Sequence, residues 1–234
     1  MKFEENSDPL QATDSSGNEM NLPYLGKSGQ SGEVAKFGEG SMAMGKDAAM
    51  GFGGSMVGSQ LSDLGGPISQ MTISLWVLPN SDDADWAPVF FLQRLNGSKE
   101  GGFTFSMSAT GQLIFYAAID RGGKVESVKV TSQSTPGLMM GEWTHFAMTF
   151  DEGEVTFYYN GEPMEGPLPM PDEVTSIPEL VELRLGVLRA LISSPSIANV
   201  DDFGFFSEKA LSPEDIAAIY EKGLAASGVS GSQP

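Results

Sequence analysis

GEWTHFAMTFDEGEVTFYYNGEPM, residues 141–164, is the stretch on which the fold turns. Its first part, WTHFAMTF at 143–150, and its second, EVTFYY at 154–159, are rich in aromatic and β-branched residues, as strands are. Asp151-Glu152-Gly153 separates them as a turn. Asn160-Gly161 then gives the strongest two-residue hairpin signal in the chain, because both central positions of that turn need a positive φ that Asn and Gly tolerate.

Moving outward, similar runs recur at close intervals. In MTISLWVL (71–78), Ile73, Leu75 and Val77 alternate with Thr72, Ser74 and Trp76, the period of two expected when one face of a strand lies on a core. PVFFL at 88–92 is a short apolar run. Phe103, Phe105 and Met107 share one side of 102–108, and Leu113, Phe115 and Ala117 share one side of 112–119, with Ala109-Thr110-Gly111 as the turn between. Asp120-Arg121-Gly122-Gly123 leads into 125–131, where Val128 and Val130 are in register, and further strands are expected at 181–186 and 200–207. Short strands at regular spacing with turn residues between them predict a two-sheet antiparallel β-sandwich.

One helix is expected, at 212–222. Ser212 is a good N-cap, Pro213 suits the first helical position, Glu214 and Asp215 complement the helix dipole, and Gly223 offers a stop. Ile216, Ile219 and Tyr220 fall at i, i+3 and i+4, so one face should pack on the sandwich. Residues 1–66 are rich in Gly, Ser, Asn and Met without sustained periodicity, which suggests short strands joined by long loops. Residues 1–224 are therefore read as one domain. The run AASGVSGSQP at 225–234 reads as a flexible tail or linker, as expected of a module from a longer exported chain.

Composition removes several function classes. Of 234 residues none is cysteine, so disulfides, thiolate nucleophiles and Cys-based metal centres are excluded, and the single histidine, His145, rules out a multi-histidine site. With 13 Lys+Arg against 31 Asp+Glu, the net charge of −18 argues against nucleic acid, whose phosphates need basic neutralisation. No run approaches the roughly 20 apolar residues of a membrane helix, so membrane insertion is not expected, and MKFEENSDPL lacks the apolar core of a signal peptide.

The segment 141–164, with its Trp-x-His strand and its strand ending in Asn-Gly, resembles the laminin-G-like, concanavalin A-like lectin/glucanase jelly-roll domains. IANVDDFGFFSEKALSPEDIAAIY at 197–220 resembles that family's closing element, an Asp-Asp strand leading to Ala-Leu-Ser and a short helix. Phe3-Glu4-Glu5, Asp14 to Asn18, Lys36-Phe37-Gly38 and the Thr-Ile-x-x-Trp-Val strand at 71–79 are similar to its opening. The resemblance spans almost the whole chain. It departs in the Gly/Met-rich stretch 41–66 and in the proline-rich 163–178. It implies a jelly roll of two antiparallel sheets, usually exported or at the cell surface, often holding structural calcium, and used for glycan or protein recognition.

Candidate sites are few. His145 lies inside an alternating strand and is read as a hydrogen-bonded structural residue rather than a general base. Glycosidases on this jelly roll use two acids on one strand face, and no strand offers that pair, so an enzyme is not expected. Asp201 and Asp202 on the closing strand, with Glu4 on the N-terminal segment, are the candidate ligands for a structural calcium, a hard cation seeking six to eight oxygens. The blander alternative has Asp202 solvated or capping backbone amides and Asp14 forming an Asx turn. In the loop NSDDADWAP (80–88), Trp86 with Asp82 and Asp85 could stack on a sugar ring and accept bonds from its hydroxyls; the competing reading has Trp86 half-buried at the start of the next strand. The chain is accordingly read as a non-catalytic recognition module, with a polysaccharide or glycoprotein glycan as the expected partner. A protein surface is the alternative partner, and glycoside hydrolysis is a weaker alternative.

Overall fold

The computed structural model describes residues 11–12, 22–23, 29–31, 35–36, 41–44, 55–57, 67–79, 89–96, 99–108, 110–136, 141–177, 182–185 and 198–226. Five short strands open the chain: β1 (Gln11–Ala12), β2 (Leu22–Pro23), β3 (Gly29–Ser31), β4 (Ser41–Met44) and β5 (Ser55–Val57). Longer ones follow as β6 (Gln70–Pro79), β7 (Val89–Asn96), β8 (Lys99–Met107), β9 (Leu113–Arg121) and β10 (Lys124–Thr131). The last five are β11 (Thr144–Asp151), β12 (Glu154–Tyr159), β13 (Glu162–Pro169), β14 (Glu182–Leu185) and β15 (Ala198–Ser207), and helix α1 (Pro213–Ala226) closes the described chain.

β1 and β2 pair with each other, and the rest form two antiparallel sheets. One has the order β10-β9-β8-β7-β14-β5 and the other β13-β12-β11-β6-β15-β4-β3. The sheets face each other across a single apolar core. Phe103, Phe105 and Phe115 of the six-stranded sheet meet Phe150, Phe157 and Phe205 of the seven-stranded one, as in the Phe105–Phe157 pair at 6.2 Å and the Phe115–Phe150 pair at 5.8 Å between centroids. Those spacings are typical of favourable aromatic contacts and join the two layers. The architecture is the expected sandwich, its sequential strands β7 to β10 forming a meander and its closing strand β15 lying beside β6.

Three features differ from the sequence reading. β6 and β11 were expected to bury one face, yet Met71 to Pro79 and Thr144 to Phe150 are buried throughout, because α1 and the segment leading to it cover the outer face of the seven-stranded sheet. The proline-rich region yields a strand, β13; it is tolerated because β13 is an edge, where Pro163, Pro167 and Pro169 need not donate to a neighbour. Helix α1 runs through Gly223 to Ala226, since a lone glycine followed by Leu and Ala costs only about 1 kcal/mol and does not stop a helix.

Candidate functional site

The two sheets present very different outer faces. On the seven-stranded sheet, Ala147, Tyr158, Leu211 and Ile216 form a second small core under α1, partly covered by Ile219. Thr72 ties the approach to the helix: its hydroxyl donates to the Lys209 carbonyl at 2.9 Å and accepts the Leu211 N–H at 2.9 Å. Trp76 stacks on Tyr220 at 5.3 Å with rings 14° apart, and His145 lies 5.3 Å from Trp76 and 5.8 Å from Tyr220.

His145 is fully buried in this aromatic nest, and burial drops its pKa to about 3. Its Nδ1 has no hydrogen-bond partner while Nε2 lies 2.9 Å from the Ser74 hydroxyl. A neutral ring donating from Nε2 is therefore the tautomer that leaves the smaller penalty. Its backbone is bracketed by the hairpin, Asn160 Oδ1 accepting the His145 N–H and the Asn160 N–H donating to the His145 carbonyl. A ring so enclosed cannot meet a substrate, and its part is structural.

Asp201 faces Trp76 across the β15–β6 pairing and is 2 % exposed. Its Oδ2 accepts the Lys36 N–H at 2.9 Å and its Oδ1 the Asp202 N–H at 2.8 Å. The Lys36 ammonium sits 4.3 Å from the Trp76 ring centroid; burial lowers its pKa while the Asp201 charge raises it. Nearby, Asn199 Nδ2 donates to Ser41 Oγ at 2.7 Å. The chain's N-terminal segment is thus tied to the closing strand by direct polar bonds.

In a regular strand the adjacent Asp201 and Asp202 would point to opposite faces. A β-bulge between Asp201 and Gly204, with Asp202 at φ +44°, breaks the alternation and lets Phe203 drop into the core. Among the described residues no cluster of three or more His, Asp or Glu could hold a metal. Asp201 is engaged by two backbone N–H groups, and Asp202 beside it is half-exposed. Further oxygens would have to come from residues outside the described ones, where Glu4 lies. Trp86, Asp82, Asp85 and Asp14 also fall outside the described residues.

Among the described residues, no helix covers the β8–β10 portion of the six-stranded sheet. Tyr116 on β9 is 39 % exposed, the highest value among the described large hydrophobic side chains. Register places it directly opposite Thr104 on β8 and Lys129 on β10, so the three stand in one row on the outer face. The rows on either side hold Gly102, Ala118 and Ser127, and Ser106, Ile114 and Thr131. An exposed ring amid small, hydroxyl-bearing and short apolar neighbours is a flat platform suited to a sugar ring. Tyr116 is not among the residues singled out by sequence, where the core side of that strand, Leu113, Phe115 and Ala117, carries the periodicity. The signal was there, since Tyr116 is the aromatic of opposite parity to Leu113, Phe115 and Ala117.

Two described carboxylates of this region have partners of their own. Glu126 bonds Lys124 at 2.9 Å and lies 3.8 Å from Arg121, while Glu165 accepts the Gln133 and Ser134 N–H groups.

Comparison with known proteins agrees with this architecture. The binding domain of botulinum neurotoxin serotype G superposes with a TM-score of 0.59 at 15% identity, covering 90% of this chain and 48% of that one. A structure of botulinum neurotoxin type C, for which interaction with two ganglioside molecules is described, gives 0.61 at 13%, covering 90% and 48%. Trypanosoma rangeli sialidase bound to the inhibitor DANA gives 0.57 at 11%, covering 92% and 31%. The chain spans about half or less of these proteins, and at such identities the likeness is one of fold. No curated protein matches the sequence. The family model described as the concanavalin A-like lectin/glucanases superfamily matches residues 54–217, more than two-thirds of the chain, and the chain belongs to that family.

Proposed function

We propose that this chain is a non-catalytic recognition module of a secreted or cell-surface protein, and that it binds carbohydrate on the open outer face of the six-stranded sheet. The observation that carries the reading is Tyr116, a ring left exposed on the outer face of β9 with Thr104 and Lys129 as its cross-strand neighbours. Burying one face of that ring against a sugar removes apolar area from water on both partners. The glycan class draws support from the ganglioside and sialidase descriptions of its structural neighbours. A protein partner is the second reading, supported by a neighbour solved with rat synaptotagmin II. The engaged state of Glu126 and Glu165 supports a binding role over a hydrolytic one.

The test is a glycan array on the chain and on Tyr116→Ala. The variant loses on the order of tenfold in affinity, about 1.4 kcal/mol, with an unchanged melting temperature. Binding that survives the substitution moves the site, first to the loop holding Asp82, Asp85 and Trp86.

Structural calcium at Glu4, Asp201 and Asp202 is a separate proposal. An ion bound only to the native state raises stability by about 2.7 kcal/mol at one hundred times its dissociation constant. Equal melting temperatures in EDTA and in millimolar calcium remove it.

A further inference from the structure

We infer that the sugar received at Tyr116 is one that carries a carboxylate, and that Lys129 is the group that selects it. This rests on the glycan reading above and narrows it to acidic sugars, uronic or sialic. The geometry is a cross-strand pair. Tyr116 and Lys129 are direct partners in the β9–β10 register and both are exposed, so their side chains rise from the same face with Cβ atoms about 4.5–5.5 Å apart. A six-membered ring lying on Tyr116 presents its ring substituents at about that distance, within reach of a long ammonium side chain.

The charge pattern points the same way. Among the described basic side chains, three are paired with carboxylates. Arg121 lies 3.8 Å from Glu126 and 3.5 Å from Asp172, Lys124 is 2.9 Å from Glu126, and Lys209 is 3.7 Å from Asp215. Lys129 makes no such pair among the described residues, although it stands three residues from a glutamate and five from a lysine that do. Its ammonium is left for a ligand, beside the one tyrosine that is exposed among the described residues. On the other side of Tyr116, Thr104 offers a hydroxyl that can both donate to and accept from a sugar.

The net charge of −18 opposes the approach of an anionic glycan at long range. That field is damped over a Debye length of about 8 Å at physiological salt, whereas a contact with Lys129 acts inside it. Recognition is consequently local, and the preference for a carboxylate grows as salt rises from low to physiological strength.

The experiment measures binding of the whole chain to an oligogalacturonate and to a sialyl-oligosaccharide, each beside its carboxyl-reduced counterpart. The wild type favours at least one acidic form over its reduced form by on the order of tenfold. Lys129→Gln erases that ratio while keeping affinity for the reduced glycan, Lys129→Arg retains it, and all melting temperatures stay alike. The arm that shows the ratio tells uronic from sialic acid. Equal binding of acidic and reduced forms, lost in Tyr116→Ala, overturns the inference and leaves the glycan reading standing. A ratio that survives Lys129→Gln also overturns it, and no binding to any of the four glycans removes both.

Discussion

Gly161 carries two constraints at one position. Its φ of +83° lies in the left-handed region, and a Cβ there would come within 2.8 Å of the Tyr220 ring. Gly122 has φ +66° with nothing within 4 Å of a Cβ. Gly122→Ala therefore costs about 1–2 kcal/mol from backbone conformation alone, while Gly161→Ala costs more because it also pushes α1 off the hairpin. Urea midpoints for the two variants measure the difference, and equal values contradict the docking. His145 makes a second prediction. Its folded pKa of about 3 lies below the usual 6.5, so the unfolded chain binds a proton that the folded chain refuses. The stabilising effect of the neutral ring is complete above pH 6.5 and is lost as pH falls from 6.5 toward 3, at up to about 1.4 kcal/mol per unit. Between pH 6.5 and 5, before most carboxylates titrate, the stability of His145→Gln falls less steeply than that of the wild type. Parallel slopes contradict the buried, neutral ring. The Asn160-Gly161 turn was legible in the sequence because its backbone demand is local. That Tyr220 would rest on it was not, since the contact joins residues nearly sixty positions apart.

Helix α1 shows what a single element can do to a sheet. Ile216 is fully buried with Ala147, Tyr158 and Leu211, so Ile216→Ala should cost about 2–5 kcal/mol. The Ser212 hydroxyl accepts the Asp215 N–H at 3.1 Å, so Ser212→Ala should cost about 1 kcal/mol. Thermal or chemical melts of the two variants check this order, and an Ile216→Ala melt like the wild type's would mean that the helix is not packed. The helix and its N-cap could be read from Ser212-Pro213-Glu214 because capping is short-range chemistry. The double burial of β6 and β11 could not. Thr72, Ser74 and Thr149 look like a solvent face in sequence, and with His145 they are buried polar residues under the cover that α1 and its approach provide. β13 escaped notice for a related reason: proline argues against a strand unless the strand is known to be an edge, and only topology tells which strands are edges.

At the scale of the molecule, the outer faces of the two sheets differ among the described residues, α1 packing on one and Tyr116 standing exposed on the other. The seven-stranded sheet uses its outer side to dock α1 and to tie Lys36 and Ser41 to the closing strand; the six-stranded sheet leaves Tyr116, Lys129 and Thr104 in a row available to a ligand. Fold class was legible because short strand-like runs with turn residues between them recur from Met71 onward. The platform was not, because a site on a sheet face is assembled across three strands and no single strand displays it. The measurement that bears most directly on the account is a residue-resolved NMR titration of the chain with a bound glycan. The account predicts amide shifts centred on Thr104, Tyr116 and Lys129 and spreading to Ser106 and Ser127, with Trp76, His145 and Tyr220 unmoved. Shifts confined to the loop of Asp82, Asp85 and Trp86, or to the face beneath α1, would contradict it.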